Sequence, residues 1–222
     1  MRRASIAGLC AIAGAESAYI LALRPWLLRW GATHEEAAGY VPGDELVPDA
    51  ELVATRAITV RAPAADVWPW IAQMGQGRGG LYSYDALENL VGCDMRSADR
   101  IVSEWQDVEV GDEFRLHPDV PLTLVLVDPG RALVVQGGVP MGEQESPPPF
   151  DSFWAFVLRE RPDGSTRLLV RERYAYARPW ARLVVEPVQA VSFVMSRRCS
   201  VASRTGAEGI RSLPAGGPHA ST

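Results

Sequence analysis

The stretch Thr55–Leu90, TRAITVRAPAADVWPWIAQMGQGRGGLYSYDALENL, constrains the chain most, because it specifies a strand, a short helix, a glycine turn and a second helix in succession. Ala57-Ile58-Thr59-Val60 is a β-branched run flanked by Arg56 and Arg61, which suits a half-buried strand. Pro63 sits where a helix can begin, since a first-turn N–H has no intrahelical partner in any case. Asp66 then places a carboxylate at the positive end of the helix dipole. Val67, Trp70, Ile71 and Met74 recur at helical spacing and form one apolar face. Pro69 removes an interior hydrogen bond, so this helix is expected to be short or bent. Gly75, Gly77, Gly79 and Gly80 end it, and a second short helix is expected over Asp85–Val91, closed by Gly92.

A strand followed by A-P-x-x-x-V-W-x-W-I and a glycine turn resembles the SRPBCC superfamily, the START/Bet v 1-like and polyketide cyclase/dehydrase-like proteins. The string MGQGRGGLYSYDALENL looks like an actinobacterial branch of it, and the likeness extends over roughly Leu52 to Met195. The resemblance implies an α+β helix-grip fold: an antiparallel sheet wrapped around a long C-terminal helix, with two short helices closing one end. It implies a ligand cavity between sheet and helix, but no particular chemistry, because one fold hosts many functions.

The remainder of the sheet is written in closely spaced strands. Glu113–His117, Leu122–Val127, Arg131–Gln136, Phe153–Arg161 and Thr166–Ala177 are separated by turn signals such as Asp128-Pro129-Gly130 and Asp163-Gly164, an antiparallel meander. Gly137–Asp151 is proline-rich and polar and reads as a loop at the sheet rim. Pro179 to about Ile210 is expected to form the last helix, with Val191 and Val194 on its apolar face.

At the N-terminus, Met1-Arg2-Arg3 precedes a run of apolar residues, Ala4–Leu23, broken by Glu16 and bordered by Arg24, Trp26 and Arg29. A basic start, an apolar run and a Trp/Arg border fit a membrane anchor over 1–30, an extra N-terminal apolar helix. Glu16 opposes this, at roughly 2.5–3.5 kcal/mol on insertion scales. A helix docked on the domain and a signal peptide are the competing readings. The expectation is therefore a membrane-associated protein with its soluble domain in the cytoplasm, or a cytoplasmic one. Residues 31–51 are acidic, carry Pro42, Gly43 and Pro48, and read as a linker or extended arm. Thr33 and Glu36 have capping-box spacing, and His34-Glu35 is read as solvated surface. Residues 52–210 are expected to form the ligand-binding domain and 211–222 a disordered tail.

A formal charge of −5 argues against a general nucleic-acid binder. Three scattered cysteines and three separated histidines offer no disulfide framework and no metal centre, so neither metal nor cofactor is expected. A monomer is expected, since the fold closes its own core.

Strand alternation nominates the cavity lining. Trp154, Phe156 and Leu158 share one face of their strand, and Leu168, Val170, Glu172 and Tyr174 share one face of the next. Trp70, Tyr82, Tyr84 and Trp105 are further aromatic candidates, with Val170, Val191 and Val194 completing the lining. Glu172 and Tyr174 are the catalytic candidates: a carboxylate beside a phenol in an apolar cavity is suited to acid–base work. The plainer alternative pairs Glu172 with an arginine near an exposed strand end. Asp85, Glu88 and Asn89 form a second polar cluster. Arg78 between glycines is a candidate contact for a ligand carboxylate or phosphate, although GQGRGG follows a helix and is not a phosphate loop. The functional expectation is a binder of a small hydrophobic ligand, lipid-, isoprenoid- or polyketide-like, with a cyclase/dehydratase-type enzyme as the alternative.

Overall fold

The computed structural model describes residues 19–82, 84–90, 92–137, 148–183, 185–186 and 193. A π-helical turn, Tyr19–Leu23, runs into α1 (Arg24–Leu28), followed by α2 (His34–Ala38) and β1 (Leu52–Val60). Next come α3 (Ala64–Ala72), α4 (Asp85–Leu90), β2 (Glu113–His117), β3 (Val120–Asp128), β4 (Ala132–Gln136), β5 (Phe150–Glu160) and β6 (Thr166–Tyr176). The strands form one antiparallel sheet in the order β1-β6-β5-β4-β3-β2. This is an α+β architecture, a six-stranded antiparallel sheet with short helices. The later strands read from the sequence are recovered within three residues at each end, while β1 begins at Leu52, five residues before the Ala57–Val60 run that signalled it. Helical backbone begins again at residues 181–183 and 185–186 and recurs at Phe193. The length of the expected C-terminal helix, Val191, Val194 and the tail 211–222 lie outside the described residues.

Pro69, which has no N–H to donate, lies inside α3, and the helix is only nine residues long. Val67, Trp70, Ile71 and Met74 are all buried against the inner face of the sheet, beside Ile58, Phe156 and Val170.

The outer face is covered as well. Val41 and Val47 are buried there against Ala57, Val134, Phe153 and Leu169. Residues 31–51, read from composition as a linker or extended arm, thus contribute to a core. The cause lies on β6, whose outward positions carry Arg167, Arg171 and Arg173. Glu36 pairs with Arg167 at 2.8 Å, and Asp44 pairs with Arg171 at 2.6 Å and Arg173 at 3.2 Å. The acidic composition that reads as solvated is neutralised by arginines far along the chain. The Thr33 capping box forms as its spacing predicts, and His34 and Glu35 are exposed.

The chain reaches the outer face by turning past the edge strand β1 at Gly31. Its φ is +72°, and a Cβ there would lie 2.1 Å from the Ala57 carbonyl oxygen, so only glycine fits. Beside it, the Trp30 carbonyl accepts from the Ala57 N–H.

Among the described residues no helix is long and apolar enough to cross a membrane. Of the run expected to be an anchor, Tyr19–Leu23 forms a single π-helical turn continuous with α1, and residues 1–18 lie outside the described residues.

The Arg167 guanidinium, ahead of the Thr33 N–H, lowers the Glu36 carboxyl from 4.5 to about 2. A depressed folded-state value means its contribution is complete above the unfolded value and is lost as pH falls. Urea midpoints of the wild type should therefore drop more steeply between pH 4.5 and 2 than those of Glu36→Gln, which starts lower and converges at the acid end. Parallel curves would remove this pair from the acid response.

Candidate ligand site on the inner face

The inner face is built from alternate residues of β5 and β6 in direct register. Trp154 lies opposite Glu172, Phe156 opposite Val170, and Leu158 opposite Leu168. Phe156, Leu158, Val170 and Leu168 are buried and Trp154 half-buried, so parity alone locates this wall. The Trp154 ring lies 4.6 Å from Phe156 and 6.2 Å, edge-on, from Phe114 of β2. Trp70 of α3 stands edge-on to Tyr82 at 5.6 Å and packs in the same cluster. The sequence reading thus brings together Trp70, Tyr82, Trp154, Phe156, Leu158 and Val170. The other two described candidates are placed differently. Tyr84 is 37% exposed, and Trp105 is half-buried in a 3-10 turn, Ser103–Trp105, outside the inner cluster.

Two polar atoms in this wall are conspicuous. The indole N–H groups of Trp70 and Trp154 are shielded from solvent and have no acceptor among the described residues. Buried donors are nearly always paired, and leaving one unmet costs about 1–3 kcal/mol.

Glu172 is 3% exposed, and its placement combines the two readings of it. Burial fits the cavity reading, and the arginine partner fits the plainer one. Arg56 of β1 donates to its Oε1 at 2.5 Å, and the Tyr174 hydroxyl donates to Oε2 at 3.1 Å. Arg56 is also buried, donates to the Leu27 carbonyl at 3.1 Å, and lies 5.8 Å from the Phe193 ring centroid. Sequence reasoning treated Arg56 as a strand flank. Its parity with Ile58 and Val60 was the available signal, since all three point to the same face.

The glycine turn is held by a buried amide that the motif itself did not single out. Gln73 donates to the Tyr82 hydroxyl at 2.6 Å and to the Arg100 carbonyl at 3.0 Å. Its oxygen accepts from Val102 N–H and Gln106. A Cβ at Gly79 would meet the Gln73 carbonyl and the Tyr82 hydroxyl, each at 2.7 Å, which accounts for glycine there. Arg78, expected near a ligand anion, instead donates to the carbonyls of Ala72 and Trp105 at 3.3 and 2.5 Å. It ties α3 to the 3-10 turn, and burial lowers its pKa.

The Asp85 cluster is likewise occupied with the chain itself. Asp85 accepts from the Ser97 N–H and hydroxyl at 2.7 and 2.6 Å, and Asn89 bonds both backbone groups of Met95. Glu88 is buried beneath them. Among the described residues no group of His, Cys, Asp and Glu has the makings of a metal site.

No family model and no curated protein matches the sequence. Solved structures with a similar chain trace include Zhui aromatase/cyclase from Streptomyces sp. R1128, 15% identical over 75% of this chain and 99% of that one, with a TM-score of 0.42. Norcoclaurine synthase from Thalictrum flavum is 18% identical over 67% and 91%, with a TM-score of 0.39. Protein MLL2253 from Mesorhizobium loti is 16% identical over 67% and 95%, with a TM-score of 0.38. The first two are Bet v 1-like folds. The fold of the present chain rests on its own strand order and register.

Removing one member of a buried ion pair strands the other charge, at about 3–5 kcal/mol. Glu172→Gln should therefore lower unfolding stability by about that amount in urea titrations. Replacing both partners, Arg56→Met with Glu172→Leu, should restore most of it. A double variant as unstable as the single one would show that the pair itself, rather than the uncompensated charge, holds this end of the sheet.

Proposed function

We infer that the inner face binds a small, mostly apolar molecule that carries at least one acceptor oxygen. The observation that supports this most is the pair of buried indole N–H groups, Trp70 and Trp154, set in an aromatic wall. Trp154, Phe156 and Phe114 offer ring faces and edges on which a flat molecule stacks favourably. An acceptor on that molecule meets a donor that otherwise stays unpaired, so it gains the full value of the bond. Polyketide-like and oxidised isoprenoid ligands combine both features. A saturated lipid chain supplies only the apolar one.

The enzyme reading, a cyclase or dehydratase with Glu172 and Tyr174 as acid and base, has less support. Glu172 has an oxygen on Arg56 and another on Tyr174, so moving a proton through it would disturb a buried ion pair. Binding is accordingly the better-supported role.

Two fluorescent probes separate the contributions. 1-Anilinonaphthalene-8-sulfonate carries acceptor oxygens, and N-phenyl-1-naphthylamine has the same rings without them. Both should take energy from tryptophan on binding the folded chain, and the sulfonate should bind more tightly. Trp154→Phe keeps an aromatic ring and loses the donor. It should weaken the sulfonate about five- to tenfold, the worth of one hydrogen bond of about 1–1.5 kcal/mol, and leave the other probe nearly unchanged. Equal losses for both probes would contradict the acceptor requirement, and no binding of either would contradict the site.

A further inference from the structure

The segments 19–29 and 178–186 meet in the fold, and both expose large apolar side chains. On the N-terminal side Leu21 is 77% exposed, Leu23 48% and Trp26 52%; on the C-terminal side Trp180 is 47% and Leu183 73% exposed. These are neighbours in space. Arg24 forms a two-bond ion pair with Glu186, Trp26 packs on Phe193 at 5.3 Å, and Leu28 shares a buried cluster with Ala181 and Val185. Each segment thus buries one side against the other and presents its remaining apolar side chains to solvent.

Arginine predominates around them. Arg29, Arg178 and Arg182 are exposed and Arg24 is half-buried; of the acids nearby, Glu186 is bonded to Arg24 and Glu51 accepts from the Tyr176 N–H. The chain as a whole carries −5, so this concentration of arginines runs against its average. Exposed tryptophan and leucine beside arginine match a lipid headgroup boundary: indoles sit at the interface, leucines enter the acyl edge, and guanidinium groups meet lipid phosphates. The apolar sequence Ala4–Ala18 leads directly into this patch at Tyr19.

We propose that the surface made by residues 19–29 and 178–183 docks on an anionic lipid bilayer, lying in the interface rather than crossing it. The C-terminal half of the surface, which no N-terminal anchor explains, is the distinguishing part. This surface lies on exposed residues and is independent of the inner-face ligand reading.

The test uses the full chain sedimented with phosphatidylcholine vesicles prepared with and without phosphatidylglycerol. The wild type should bind the anionic vesicles and lose affinity as salt rises. Trp180→Ser with Leu183→Asp, and separately Arg178→Glu with Arg182→Glu, should each weaken binding at least tenfold; about fivefold per arginine is expected from its attraction to anionic lipid. These side chains are exposed, so thermal midpoints should stay unchanged; if the first pair loses its fold, the charge-reversal pair decides. Wild-type binding by both variants would mean that residues 1–18 hold the chain on the vesicle unaided, and would overturn the proposal. Equal binding to neutral vesicles would overturn it too. So would a wild-type dimer that the variants dissociate, which would assign the surface to a second copy.

Discussion

Strand β6 carries charge on both of its faces, and the rest of the chain is arranged to neutralise it. It lies between β1 and β5, so both hydrogen-bonding edges of its backbone are paired. On the outer face Arg167, Arg171 and Arg173 draw the acidic segment 31–51 down onto the sheet. Arg171 is 3% exposed, and besides Asp44 it donates to the carbonyls of Glu36, Ala37 and Gly39. On the inner face Glu172 requires a cation, which Arg56 supplies from the neighbouring strand. Breaking either pairing on one side only leaves a buried charge, so each layer over β6 must supply the partner that its charges require.

This arrangement divides the inner face into two regions. The end near Arg56, Glu172 and Tyr174 is polar and closed over by α1 and Phe193. Further along, Trp154, Phe156, Phe114 and Trp70 form an aromatic wall whose indole donors are unmet among the described residues. Glu172 at the polar end is met by Arg56 and Tyr174, and the aromatic end holds the two unmet indole donors on which the proposed ligand site rests. The same division assigns the Gln73, Arg78 and Asp85 groups to holding the glycine turn and the 93–106 segment in place.

Face membership was legible in the sequence because side chains alternate with period two: Trp154, Phe156, Leu158, Val170 and Glu172 fall where parity puts them. Strand positions were legible for the same reason, with turn residues marking their ends. Partners were not. Arg56 and Glu172 are 116 residues apart, and Asp44 and Arg171 are 127 apart; no local pattern links either pair. Composition misdirected the reading of 31–51, since an acidic, proline-containing stretch looks solvated until its arginines are known. The same holds for Arg78: a lone arginine among glycines looks available to a ligand, yet its guanidinium donates to the Ala72 and Trp105 carbonyls.

The central claim is that the aromatic inner wall, with its indole donors, is where a ligand sits. Each of the seven tryptophans gives its own indole N–H resonance, so nuclear magnetic resonance reads the site directly. Adding a flat aromatic ligand with a carbonyl or phenolic oxygen should move the Trp70 and Trp154 indole signals downfield and slow their exchange with solvent. The signals of exposed Trp26 and Trp180 should stay where they are. Movement of Trp26 and Trp180 with Trp70 and Trp154 unaffected would place the ligand on the surface and contradict the account.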